Sequence, residues 1–68
     1  MLPALLMWNK VGRIITRLAA RLGVSPERAV DVFYTSNTCD LLYKPETGLY
    51  AFGDLYIVDE IIRELELR

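Results

Sequence analysis

The chain holds one cysteine, Cys39, and no histidine in 68 residues. An internal disulfide is therefore impossible, and the usual Cys/His zinc site lacks its ligands. A domain this short buries only about 60% of the surface its unfolded form exposes. With cross-links and metals set aside, what remains to stabilise it is an unusually apolar core or a partner chain. The composition leans that way, since 53% of the residues are hydrophobic and the mean hydropathy is +0.24. The expectation is one domain over residues 1–68 that forms a homo-oligomer or binds a small protein partner.

Hydrophobic spacing divides the chain into helices. Pro3 suits a first helical turn, and Gly23 is a natural stop just past Leu22. At about 100° per residue, Leu5, Trp8, Val11, Ile15, Leu18 and Leu22 share one face, with Ala19 at its edge. Lys10, Arg13, Arg17 and Arg21 form a stripe on the other side. Ser25-Pro26-Glu27-Arg28 is a helix start: a capping serine, proline at the first position, an acid in the first turn. That second helix runs to Phe33 or Tyr34, with Ala29, Val30 and Phe33 inward and Val32 flanking them.

Thr35-Ser36-Asn37-Thr38 offers several caps and breaks the period. Cys39 to Tyr43 reads as a short third helix, although Leu41-Leu42-Tyr43 also suits a strand. Lys44 to Gly48 is a turn, and Leu49 to Phe52 follows as extended chain, so a hairpin across the turn competes with the helical reading. Gly53-Asp54 opens the last helix with Asp54 as its cap. Leu55, Val58, Ile61, Ile62 and Leu65 make its apolar face, and Asp59–Arg63 and Glu64–Arg68 are i,i+4 pairs on the wet side. The expected fold is mainly α: a small domain of three to four helices, with a short extended segment or hairpin near residues 41–52 as the alternative.

The formal net charge of −1 speaks against a protein that is polyanion-binding over its whole surface. Its distribution is uneven. Residues 1–34 carry five cations and two acids, residues 35–68 three cations and seven acids. Such a dipole suits packing of the N-terminal helix on the C-terminal one, or a basic face for nucleic acid. Packing is the preferred reading. Met1 to Trp8 is apolar but lacks the basic segment and cleavage site of a signal peptide, and it is too short to cross a bilayer. A cytoplasmic chain without a membrane segment is expected, in keeping with an unpaired cysteine.

Little here supports catalysis. Without histidine there is no imidazole acid or base. Cys39 would need a cation or helix N-terminus beside it to become a thiolate, and burial is the preferred reading. Asp54, Asp59, Glu60 and Glu64 are spaced like a solvated helix face rather than a metal site, and the scattered glycines form no phosphate loop. The expectation is no enzyme, no cofactor and no metal. Leu22-Gly23-Val24-Ser25 resembles a helix-turn-helix junction, but the second helix would offer Glu27 and Asp31 to DNA, a poor reading surface. Nucleic-acid binding through Lys10, Arg13, Arg17 and Arg21 is therefore the alternative function. The aromatic residues Tyr43, Tyr50 and Phe52 flank the Pro-Glu-Thr-Gly turn and are the candidate protein-interaction residues.

Four segments in order, Ser25-Pro26-Glu27-Arg28-Ala29, Phe33-Tyr34-Thr35-Ser36, Pro45-Glu46-Thr47-Gly48-Leu49-Tyr50 and Tyr56-Ile57-Val58-Asp59-Glu60, resemble a family of short, functionally uncharacterised bacterial proteins. The resemblance spans roughly residues 8–66. It implies a helical fold opening on a helix like Val11–Leu22 and closing on a Tyr-Ile-Val-Asp/Glu helix. By analogy it implies an adaptor or antitoxin-like partner of a neighbouring gene product. It carries no catalytic residues.

Overall fold

A computed structural model describes residues 4–67; Pro3 and Arg68, to which the sequence assigns a helix start and one ion pair, lie outside them. Four α-helices follow in order: α1 (Ala4–Leu22), α2 (Pro26–Tyr34), α3 (Asn37–Leu42) and α4 (Asp54–Glu66). Two 3₁₀ turns, Pro45–Thr47 and Leu49–Ala51, lie between the last two helices, and there is no strand among the described residues. The fold is mainly α.

Local chemistry explains each boundary. α1 ends where Gly23 turns left-handed, at φ 67°, a conformation that glycine adopts without penalty. Val24 N–H then reaches back to the Ala19 carbonyl at 3.1 Å, a six-residue loop that satisfies an otherwise orphaned carbonyl. Ser25 caps α2 by accepting from Arg28 N–H. Ser36 is the joint between α2 and α3. Its hydroxyl donates to the Phe33 carbonyl at 2.7 Å and accepts from Cys39 N–H at 3.1 Å, while the residue itself is buried.

The segment after α3 is where the hairpin alternative fails. Thr47 Oγ1 lies 2.7 Å from the Leu41 carbonyl oxygen and 2.8 Å from that of Lys44, which folds the chain back onto the end of α3. Gly48 supplies the left-handed residue at φ 66°. Local bonds from Gly48, Ala51 and Phe52 to carbonyls three residues earlier then leave nothing for a ladder to take up. Leu49 to Ala51 is thus helical rather than extended, and Leu49 is buried.

The core is one cluster: Val11, Ile14 and Leu18 from α1, Phe33 from α2, Cys39 and Leu42 from α3, Leu49, and Ile57, Val58 and Ile61 from α4. Two helical faces are rotated relative to the periodicity. Leu5 and Trp8 are 67% and 70% exposed, whereas Ile14 is fully buried. α4 docks on the side of α1 that carries Lys10, Arg13 and Arg21, which turns the buried face towards Ile14, and length adds to this. α2 has 9 residues against the 19 of α1, so at ~1.5 Å per residue it covers only about half of it, and the first turns of α1 project past it. Likewise Leu55 is exposed and Ile57 buried in α4, and Val30 is partly exposed in α2.

The expected ion pairs also rearrange. Asp54 does not cap α4; Gly53 holds that position without a side-chain bond, and the Asp54 carboxylate turns to α1. Asp59 pairs with Arg21 at 2.9 Å rather than Arg63, which approaches Glu60 at 3.7 Å. Glu64 caps α3 across the fold, accepting from Asn37 N–H at 2.7 Å, Thr38 N–H at 3.1 Å and the Thr38 hydroxyl at 2.9 Å. A carboxylate at a helix N-terminus satisfies orphan donors and meets the positive end of the helix dipole. Glu64→Ala should therefore destabilise the chain by about 1–2 kcal/mol. Urea unfolding would measure this, with the Asn37 and Thr38 amides losing hydrogen-exchange protection first.

Candidate functional site

The basic stripe of α1 is mostly spent on α4. Lys10 Nζ lies 2.8 Å from the Phe52 carbonyl oxygen and 3.0 Å from Asp54. Arg13 reaches the other Asp54 oxygen at 2.8 Å. With Arg21 on Asp59, three of the four cations named as a nucleic-acid face are paired with two acids of the same chain. Arg17 makes no ion pair among the described residues. The sequence dipole is thus largely closed within the molecule, by packing of the first helix on the last.

Asp54 is the hub of that contact. Burial raises its pKa, but hydrogen bonds from Arg13 and Lys10 and their positive charges outweigh burial, so the carboxyl sits below its ordinary 3.8. A carboxyl held below its unfolded value contributes stability that is present above the unfolded pKa and lost as pH falls through the folded one.

Cys39 is 4% exposed. Burial, and then the neighbouring Asp40 charge, push its thiol up to about 11. That is the opposite of an activated thiolate. Among the described residues, no three His, Cys, Asp or Glu side chains gather to hold a metal ion, and no helix is long and apolar enough to cross a membrane.

The three candidate aromatics separate. Tyr50 is half-buried and packs against the core. Tyr43 sits beside Tyr34: burial, followed by hydrogen bonding to the Tyr34 hydroxyl, pushes its phenol up to about 12. Phe52 packs on Tyr56, with ring centroids 4.8 Å apart. The turn therefore presents no single aromatic cluster.

Sequence reasoning misses a different exposed surface. Leu55 and Tyr56 stand out from the start of α4 beside Phe52, and Leu5, Leu6 and Trp8 from the start of α1. Lys10 ties the two starts together through the Phe52 carbonyl and Asp54, and Leu6 lies one turn before Lys10 on the same side of α1. Leu6, Phe52, Leu55 and Tyr56, each about half exposed, thus gather where α1 and α4 begin, while Leu5 and Trp8 stand on another side of α1. Leu6 lying off the expected apolar face of α1 was the sequence signal for it.

On the outer side of α1, an open groove is lined by Trp8, Asn9, Gly12, Arg13, Thr16 and Arg17. Gly12 lies in mid-helix, where glycine costs about 1 kcal/mol relative to alanine. A Cβ at that position would meet nothing within 4 Å.

The chain matches no protein-family model, no curated protein and no solved structure.

Two outcomes follow from this geometry. Stability should fall on the acid side below about pH 4, and Asp54→Asn should flatten that limb while lowering stability at neutral pH, as read by thermal melts across pH 2–7. The native Cys39 thiol should react with a disulfide reagent at neutral pH orders of magnitude more slowly than the urea-unfolded chain.

Proposed function

We propose that this chain is a small protein-interaction module, whose exposed apolar end is covered by another polypeptide. The observation that supports it best is the gathering of Leu6, Phe52, Leu55 and Tyr56 at the starts of α1 and α4. A large apolar side chain offers about 150–250 Å², so four at about half exposure present roughly 300–500 Å². Soluble monomers rarely expose a contiguous apolar patch beyond a few hundred Å², and specific interfaces take about 800 Å² from each partner. A chain without an internal disulfide or a Cys/His zinc site has a thermodynamic reason to finish its burial against a partner.

The partner is a further copy of the chain or a neighbouring gene product, in the manner of an adaptor or antitoxin-like component. The site needs no cofactor, and binding rather than catalysis is the activity proposed. The nucleic-acid alternative draws on Lys10, Arg13, Arg17 and Arg21, but salt bridges to Asp54 and Asp59 occupy three of them. Only Arg17 would add a counterion-releasing contact without breaking a pair. The protein-binding reading is the better supported.

The test is native mass. The purified chain, alone and co-expressed with the products of its flanking genes, should run as a stoichiometric assembly well above 7.8 kDa. Leu55→Ser with Phe52→Ser should leave helicity intact and weaken association tenfold or more, about 1.4 kcal/mol. A strict monomer under both conditions would overturn the proposal.

A further inference from the structure

The groove along α1 contains two features that the fold of a single chain does not account for. Trp8, on its wall, is 70% exposed, although tryptophan is the side chain with most to gain from burial. Gly12, on its floor, destabilises the helix relative to alanine, yet no neighbour in the chain occupies the space that a side chain there would fill. A projecting ring and a missing side chain lie one helical turn apart on the same side of the longest helix.

We propose that this groove is the seam of a two-fold dimer, in which α1 of a second copy lies antiparallel across it. Each Trp8 indole then seats over the other copy's Gly12. This goes beyond the interaction-module reading, because the seam lies on a different side of α1 from Leu6, Phe52, Leu55 and Tyr56, and Leu55→Ser with Phe52→Ser should leave self-pairing intact. A two-fold interface uses the same patch twice, so a projection on one copy must meet a gap on the other. With the axis near residue 10, antiparallel helices bring Trp8 opposite Gly12 on both sides at once. Parallel helices would set Trp8 on Trp8 and gap on gap.

Charge selects the same arrangement. α1 contains no acid, so two copies of it would repel if their cations were free. Lys10 and Arg13 share the one Asp54 carboxylate and Arg21 is held by Asp59, which leaves one charge in excess beside Asp54 and the unpaired Arg17 at the rim. Across an antiparallel pair, the two Arg17 positions stand roughly 20 Å apart along the helices at ~1.5 Å per residue. That exceeds the ~8–10 Å screening length of ordinary salt. In a parallel pair they would sit side by side.

The area is modest. Leu5 and Trp8, with the aliphatic stems of Arg13 and Arg17 and the small floor between them, offer on the order of 500 Å² per copy. That is at the lower edge of specific interfaces, so the dimer should dissociate in the micromolar range.

Trp8 is the sole tryptophan and reports directly on the seam. Sedimentation of the full chain from about 5 to 500 µM should follow a monomer–dimer equilibrium, with little change between low and high salt. Trp8 emission should shift to the blue over the same concentrations. Gly12→Leu, which fills the floor with a good helix former, should keep or raise helicity and weaken dimerisation tenfold or more. Trp8→Ala should do the same to dimerisation. A chain that stays monomeric at 500 µM, or a dimer that ignores Gly12→Leu and leaves Trp8 emission unshifted, overturns the seam. A monomer that binds a flanking gene product overturns self-pairing while the interaction module stands, and a monomer that binds nothing ends both. Salt-sensitive retention of an oligonucleotide, abolished by Arg17→Ala, would likewise assign the groove elsewhere.

Discussion

The rest of the structure depends on the return of α4 to α1. With one cysteine and no histidine, neither an internal disulfide nor a Cys/His zinc site closes this chain. The contacts within α1–α2 and α2–α3 are local in sequence, and by themselves they leave Ile14, Leu18 and Phe33 open on one side. α4, some forty residues downstream, covers them with Ile57, Val58 and Ile61. Its position is set by Asp54 between Lys10 and Arg13 at one point and by Asp59 on Arg21 at another. The hydrophobic contact supplies most of the free energy, at about 25 cal/mol per Å² of apolar surface removed from water. The partly exposed ion pairs add little energy individually. Their geometric role is larger, because they select which side of α4 faces inward.

That closure also decides what is left over. A basic stripe is free for nucleic acid only while its cations are unpaired, and docking of α4 consumes three of the four. The acids Asp54 and Asp59 are consumed likewise, and Glu64 is turned to the N-terminus of α3. What the fold cannot consume is apolar. α2 is too short to cover the first turns of α1, and α4 begins with Leu55 and Tyr56 pointing away from the core. A thin core surrounded by a surplus of large apolar side chains is the physical ground for reading the chain as one component of an assembly.

The helices themselves were legible in the residues. Ser25-Pro26, Gly23 and the periodicity of α1 act over three or four neighbours, and the structure places those boundaries where the local rules do. The segment from Leu41 to Phe52 was ambiguous because a short apolar run suits a strand or a helix equally. Thr47, by bonding to the Leu41 and Lys44 carbonyls, resolves it. The candidate aromatics Tyr43, Tyr50 and Phe52 are close in sequence, yet two successive 3₁₀ turns send them to different neighbours. Sequence proximity across a turn says little about a shared surface.

The sequence by itself determined the class: a mainly helical fold, without a disulfide or Cys/His zinc site, in which a basic first helix faces an acidic last one. Those properties follow from residue inventory and from bonds spanning a few positions. Only the tertiary structure decided which apolar residues the core accepts. Trp8 and Leu55 satisfy the helical period as well as Ile14 and Ile57 do, and their different burial depends on the lengths and rotation of the helices packed against them. Periodicity describes one helix at a time. Exposure, and with it the surface available to a partner, belongs to the arrangement of four.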